Sequence, residues 1–171
     1  MKVAIIGPES TGKTTLAKEL AQQFNGTYVP EYAREYIERK GIRDVTYDEL
    51  CEIAKYQIEQ IISLSGTESA GLSAKRSVSE TVCQAQPVFF DTELIVTKIW
   101  FEYAFGQVPE WLNEAILRYP MDLYLLTVPD IAWQPDPARY NGSDAIRQEL
   151  FDRYEAEIQA LNIPYYIITH E

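Results

Sequence analysis

The chain has 171 residues, of which 46% are hydrophobic and 24% charged, and its formal net charge is −11. This composition excludes a globally disordered chain, and the acidic balance argues against nucleic acid or an anionic membrane as a partner. Its apolar runs are all too short for a membrane-spanning helix, and the two cysteines lack zinc-site spacing. We therefore expect one cytoplasmic domain over residues 1–171.

Apolar strands alternate with amphipathic helices along the chain. Runs of apolar and β-branched residues predict five strands, at 3–6, 27–29, 88–91, 123–127 and 165–168. Helical spacing predicts six helices, which start at 13, at Pro30, after a Thr46–Glu49 capping box, near 92, near 109 and after 143 or 144. This alternation predicts an α/β domain, a three-layer sandwich around a mainly parallel five-stranded sheet.

Two segments lack the periodicity of a helix or a strand. Residues 63–86 are rich in Ser, Ala, Gly and Thr, so we expect a surface insertion there. Residues 128–142 contain three prolines and an Asn-Gly pair, which predict a loop that could act as a lid.

The turn after the first strand contains the most informative motif. Residues 7–14, Gly-Pro-Glu-Ser-Thr-Gly-Lys-Thr, match the phosphate-loop pattern G-x-x-x-x-G-K-[ST] between a predicted strand and a predicted helix. The loop amides and the helix N-terminus would bind the phosphates of ATP, the lysine would contact the β and γ oxygens, and the last threonine would bind Mg²⁺. The predicted ATP-binding residues are Gly7, Glu9, Ser10, Thr11, Gly12, Lys13, Thr14 and Thr15.

Asp91 ends the third predicted strand after a Val-Phe-Phe run. This is the layout of a Walker-B acid, in which an apolar strand places a carboxylate beside the phosphate loop. We expect Asp91 to hold Mg²⁺ together with Thr14. A second role, as N-cap of the helix that starts near Thr92, is compatible with the first.

Glu31 and Arg34 follow the second strand, at the sheet edge where the phosphate acceptor of a P-loop kinase lies. A carboxylate there can hydrogen-bond ribose hydroxyls or take the proton of an attacking hydroxyl. The alternative is an exposed helix with Glu31–Arg34 and Arg34–Glu38 ion pairs.

Three residues near the predicted lid could contact the substrates. Arg139 and Arg147 could stabilise charge on the transferring phosphoryl group. Trp133 could stack on a ring of the acceptor or simply anchor the loop. His170 is the only histidine, so a histidine-based triad or metal site is not expected.

Missing motifs narrow the class of protein. There is no Asn-Lys-x-Asp for guanine, and Asp91-Thr-Glu-Leu is not the Asp-x-x-Gly of a switch GTPase. The chain is also short for an AAA+ motor. A small-molecule kinase fits best, and the alternatives are an ATP-binding regulatory or ATPase module and a kinase for another nucleoside. The oligomeric state stays open.

The chain resembles the ribosylnicotinamide kinase domain of the NadR family. The matching stretches are the phosphate loop, Glu31-Tyr-Ala-Arg-Glu35, Gln57, Phe90-Asp-Thr-Glu93, Tyr119-Pro-Met-Asp122 and the set Trp133, Arg139 and Arg147. The resemblance implies a P-loop NTPase fold and transfer of the ATP γ-phosphate to the 5′-hydroxyl of nicotinamide riboside, giving nicotinamide mononucleotide. It implies acceptor contacts by Glu31, Arg34, Gln57 and Trp133. From their positions in the sequence, either Glu31 or Asp91 could orient or deprotonate the acceptor hydroxyl.

Overall fold

The structure of the protein is a computed structural model that describes residues 1–41, 44–65, 86–132 and 143–170. Five strands form one sheet: β1 Lys2–Ile6, β2 Thr27–Val29, β3 Val88–Asp91, β4 Leu123–Thr127 and β5 Tyr165–Ile168. Their order is β2-β3-β1-β4-β5, and every neighbouring pair is parallel. All five predicted strands are confirmed, and β1 begins one residue earlier than predicted.

Six helices connect these strands: α1 Lys13–Gln23, α2 Tyr32–Lys40, α3 Tyr47–Leu64, α4 Leu94–Phe105, α5 Glu110–Arg118 and α6 Asp144–Leu161. The predicted capping box at the start of α3 is present, because Thr46 accepts from the Glu49 backbone and Glu49 accepts from the Thr46 backbone. The prediction for Pro30 is wrong. Glu31 is the N-cap of α2, so Pro30 lies before the helix and not in its first turn.

Helices cover the two faces of the sheet. Val3 and Ile5 of β1 pack against α1, whereas Ala4 and Ile6 join the larger core formed with the helices of the opposite face. Both sets are fully buried, as expected for a central strand of a parallel sheet. The predicted three-layer α/β sandwich is therefore confirmed.

The two segments predicted as an insertion and a lid fall largely outside the described residues. Helix α3 continues through Leu64, so the first residues of the predicted insertion are helical. Residues 66–85 and 133–142 are not described, and the predicted site residues Trp133 and Arg139 are among them. In the described part of the chain, every helix is too short or too polar to cross a membrane.

Candidate active site

The phosphate loop forms a compact turn between β1 and α1. Gly7 has φ +151°, and a Cβ there would lie 2.2 Å from Thr127 Oγ1 of β4, so only glycine fits. Thr11 Oγ1 donates to Pro8 O at 2.9 Å and lies 2.6 Å from Thr127 Oγ1, in a hydrogen bond that either hydroxyl can donate. These contacts hold the loop over the carboxyl end of the sheet.

The loop ends at the N-terminus of α1. Gly12 is the N-cap, with φ +70°, and Ser10 also has a left-handed backbone with φ 55°. Lys13 is 6% exposed, and its Nζ donates to Pro8 O at 2.5 Å. Thr14 and Thr15 follow on an exposed part of the first turn. The predicted loop residues thus surround a helix N-terminus, where unpaired amides favour a phosphate.

Thr14 and Asp91 meet as the sequence predicts, although 77 residues separate them. Thr14 Oγ1 donates to Asp91 Oδ2 at 2.6 Å, and the Tyr28 hydroxyl donates to the same oxygen at 3.3 Å. Burial, followed by the nearby Asp91 carboxylate, raises the pKa of Tyr28 to about 12.

The pair of residues fits a magnesium ion. Asp91 is 2% exposed, and its other oxygen, Oδ1, is buried without a hydrogen-bond partner among the described residues. A buried carboxylate oxygen without a donor is costly, and a hard cation would satisfy it. Thr14 and Asp91 are therefore the residues that would hold Mg²⁺.

The predicted N-cap role of Asp91 is wrong, because Glu93 caps α4. Its Oε1 accepts from the Ile95 backbone N–H at 2.9 Å. Thr92 has a left-handed backbone with φ 66°, which turns the chain between the end of β3 and the helix. Glu93 is buried, and this burial raises its pKa to about 7.

A cavity of about 270 Å³ opens beside the phosphate loop. Residues of several elements line it. The phosphate loop contributes Gly7, Glu9 and Lys13, and the predicted acceptor residues Glu31, Arg34 and Gln57 also line it. Much of the remaining wall is apolar or aromatic, and α4 and α6 contribute Val96, Trp100, Phe105, Leu150 and Tyr154. Asp91 lies outside this lining, beside Thr14.

Two of the predicted acceptor residues also have protein partners. Gln57 is 6% exposed, and its Oε1 accepts from the Thr97 hydroxyl at 2.7 Å. Arg34 pairs with Glu38 at 3.1 Å, which is one of the ion pairs considered above as an alternative. Arg34 also lines the cavity. The ion pair is therefore compatible both with a role in acceptor binding and with a helix that is merely stabilised by surface ion pairs.

Arg147 is buried beneath the phosphate loop and is only 1% exposed. Its guanidinium donates to Glu9 O at 3.1 Å, Ser10 O at 3.4 Å and Ile131 O at 2.8 Å. It also pairs with Asp144 Oδ1 at 3.3 Å, so the described contacts join the phosphate loop to the segment after β4 and to the first turn of α6. Its predicted action on the phosphoryl group remains a prediction.

Sequence analysis missed the wall that α4 and α6 supply. Trp100 and Tyr154 lie in helices whose spacing predicted only a buried face. Asp44, before α3, also lines the cavity. One sequence feature could have indicated this wall: Trp100 lies on α4, the helix that directly follows the strand ending in Asp91.

The parallel sheet, the phosphate loop and the Thr14–Asp91 pair define a P-loop nucleotide-binding fold with an adjoining cavity. The chain belongs to the AAA domain family, whose model matches residues 2–171. The match extends over nearly the whole chain. It assigns the domain family and does not make the chain an AAA+ motor, for which 171 residues are few.

The resemblance to NadR proteins is confirmed. The chain is 27% identical over 170 residues to the trifunctional NAD biosynthesis/regulator protein NadR of Escherichia coli K12. That match covers 99% of this chain and 38% of the relative, so this chain spans less than two fifths of the relative's length.

Solved structures confirm the predicted P-loop fold. A NadR protein in complex with NAD and AMP-PNP has a TM-score of 0.73 and 24% identity, with 99% of this chain and 44% of that chain covered. A NadR protein in complex with NR has a TM-score of 0.70 and 24% identity, with coverages of 97% and 43%. Thymidylate kinase from Ehrlichia chaffeensis has a TM-score of 0.62 and 14% identity, with coverages of 100% and 87%.

Proposed function

We propose that this protein is an ATP-dependent kinase that phosphorylates the 5′-hydroxyl of nicotinamide riboside to give nicotinamide mononucleotide. The observation that carries the proposal is the cavity of about 270 Å³ that adjoins the phosphate loop. An ATP-driven regulatory module needs a nucleotide site but no second small-molecule pocket. A kinase needs a nucleotide site and an acceptor pocket. The two must adjoin, so that the γ-phosphate can reach the acceptor hydroxyl.

The cavity has the chemistry of a nucleoside site. Trp100 and Tyr154 offer aromatic surface for a base, while Glu31 and Gln57 offer polar groups for ribose hydroxyls. The NadR relative of Escherichia coli is an NAD biosynthesis protein, and a NadR protein with this fold was crystallised with NR. These comparisons favour nicotinamide riboside over another nucleoside.

The proposed reaction forms a bond between the 5′ oxygen and the γ-phosphorus and breaks the bond to the β,γ-bridging oxygen. ADP leaves, and the hydroxyl proton passes to a carboxylate. Glu31 lines the cavity together with Lys13, whereas Asp91 faces Thr14, so the lining favours Glu31 as the group that orients the hydroxyl and takes its proton.

The phosphate loop would hold the transferring group in place. Lys13 and the amides at the start of α1 bind the β and γ phosphates, and Arg147 supports the loop from beneath. Mg²⁺, when bound, neutralises charge on these phosphates. The proposed roles of Arg139 and Trp133 lie outside the described residues.

Thermal-shift measurements test whether the cavity binds a nucleoside. Saturating nicotinamide riboside should raise the melting temperature in the presence of AMP-PNP, because a ligand that binds only the folded state stabilises it. A rise with thymidine or adenosine but not with nicotinamide riboside would assign the site to another nucleoside. A rise with AMP-PNP alone, whatever the nucleoside, would favour the regulatory module.

A pair of tryptophan variants locates the binding. Trp100→Ala should abolish the shift caused by nicotinamide riboside and keep the shift caused by AMP-PNP. Trp111→Ala is the matched control, because Trp111 lies on α5 outside the cavity lining and packs against Lys55. An equal loss in both variants would contradict the assignment of the cavity.

A further inference from the structure

We infer that Thr97 is a positioning residue, whose hydroxyl holds the Gln57 side-chain amide with its NH₂ group toward the cavity, so that the site selects nucleosides whose base carries a hydrogen-bond-accepting oxygen. The carboxamide of nicotinamide riboside has such an oxygen. This inference rests on the proposed function and adds a means of selecting the acceptor by its base. Sequence analysis gave Thr97 no role, and it lies among the buried residues of α4.

Gln57 stands in the apolar stripe of α3. Ile53 and Ile61, four residues before and after it, are fully buried, and Gln57 itself is more than nine-tenths buried. An amide at a position where helical spacing favours an apolar side chain loses most of its contact with water. Its burial is therefore unfavourable unless its oxygen and both of its N–H groups find partners.

Thr97 satisfies the amide oxygen. Its Oγ1 is buried and donates to Gln57 Oε1 at 2.7 Å. In a helix, a threonine hydroxyl can instead donate to the carbonyl four residues back, which is Glu93 O here. That carbonyl accepts from the backbone N–H groups of Val96 and Thr97, and the described hydrogen bonds of the Thr97 hydroxyl include only the one to Gln57. A reversed amide would leave the hydroxyl proton without this acceptor, so the contact favours Oε1 toward Thr97.

The amide nitrogen of Gln57 is left for a ligand. In the described part of the chain Nε2 has no hydrogen-bond partner, yet it is not fully enclosed. Gln57 borders two hollows, one of about 10 Å³, which holds at most one water molecule, and the cavity of about 270 Å³ beside the phosphate loop. Of the two, only the larger can receive a nucleoside, so a nucleoside reaches Nε2 from that side.

The same helix face carries the aromatic surface proposed for the base. Trp100 follows Thr97 by three residues, so both side chains lie on one face of α4, and both line the cavity. Three residues span about 5 Å along a helix axis. A planar base that packs on Trp100 is therefore close to the amide that Thr97 holds.

The orientation of the amide matters more for a base than for the ribose. A ribose hydroxyl donates as well as accepts, so it can bind either end of a side-chain amide. A carbonyl oxygen only accepts, so it binds the NH₂ end and is repelled by Oε1. Nε2 carries two hydrogens, of which one can serve the carboxamide oxygen of nicotinamide riboside while the other serves a ribose hydroxyl. Thr97 thus makes the site discriminate at the base.

Calorimetric titrations with two ribosides test this inference. N-ribosylpyridinium has the same ring, charge and ribose as nicotinamide riboside but lacks the carboxamide. In the presence of AMP-PNP and Mg²⁺, the wild type should bind nicotinamide riboside about tenfold more tightly than N-ribosylpyridinium, as expected for one buried hydrogen bond and the cost of leaving its donor unpaired.

Variants at Thr97 separate positioning from packing. Thr97→Val keeps the volume but removes the hydroxyl, so the preference for nicotinamide riboside should fall from about tenfold to about twofold, whereas Thr97→Ser should keep it. Thr97→Ala repeats the loss of the hydroxyl if valine prevents folding. A merely structural role would weaken the binding of both ribosides by the same factor, and such an unchanged ratio would overturn the role of Thr97.

The outcomes also distinguish this inference from the proposed function. Equal affinity of the wild type for the two ribosides would overturn the inference and leave the riboside site and the proposed function intact. Failure of the wild type to bind either riboside in the presence of AMP-PNP would contradict the proposed function, and this inference with it.

Discussion

Replacing Glu93 by glutamine should stabilise the protein in a pH-dependent way. Glu93 is 4% exposed, and burial raises its pKa from 4.5 to about 7. The raised value means that the folded state binds the proton more tightly than the unfolded state. The stability that comes from this proton is complete below pH 4.5 and is lost as the pH rises to about 7.

The size of the effect follows from the pKa difference. A difference of about 2.5 pKa units corresponds to about 3 kcal/mol, of which about 2 kcal/mol develops between pH 5.5 and pH 8. Glutamine carries no charge at either pH, and its Oε1 can still accept from the Ile95 N–H that Glu93 now caps. The advantage of Glu93→Gln over the wild type should therefore grow by about 2 kcal/mol over this range.

Urea unfolding at pH 5.5 and pH 8.0 measures this difference. With a typical urea slope for a small protein, about 2 kcal/mol moves the midpoint by about 1 M. Glu114→Gln, on an exposed part of α5, controls for the loss of one negative charge. The reasoning fails if Glu93→Gln changes the free energy of unfolding equally at the two pH values.

Three further substitutions test the phosphate loop. Lys13→Met keeps the buried stem but removes the charge, so turnover should fall at least about 100-fold in a steady-state assay with little change in melting temperature; unchanged turnover would reject its role. Gly7→Ala should lower the free energy of unfolding, measured by urea denaturation, by at least about 2 kcal/mol, because φ is +151° and a Cβ would lie 2.2 Å from Thr127 Oγ1. An unchanged free energy of unfolding would contradict this geometry. Arg147→Met removes the donors to three carbonyls, and we expect the free energy of unfolding in urea to fall by about 3 kcal/mol. A decrease below about 0.5 kcal/mol would show that these contacts contribute little.

Local patterns were enough to predict the sheet and the phosphate loop. Strand β3 has an apolar run that ends in Asp91, and parallel strands bring their carboxyl ends together. That rule places Asp91 beside Thr14 from sequence alone, and the structure gives a distance of 2.6 Å.

Contacts between distant segments were not predictable in the same way. Arg147 meets Glu9 across 138 residues, and His170 meets Asp130 across 40, with no repeated pattern that links either pair. The N-cap of α4 was also misplaced, since the left-handed backbone of Thr92 delays the helix by two residues. A non-glycine residue in that conformation has no strong sequence signal.

The most direct test is a product analysis with the purified protein, ATP, Mg²⁺ and nicotinamide riboside. Chromatography with mass detection should show ADP and nicotinamide mononucleotide accumulating in equal amounts, and neither should form with Lys13→Met above about 1% of the wild-type rate. Accumulation of ADP without nicotinamide mononucleotide, at a rate that the riboside does not change, would contradict the proposed function.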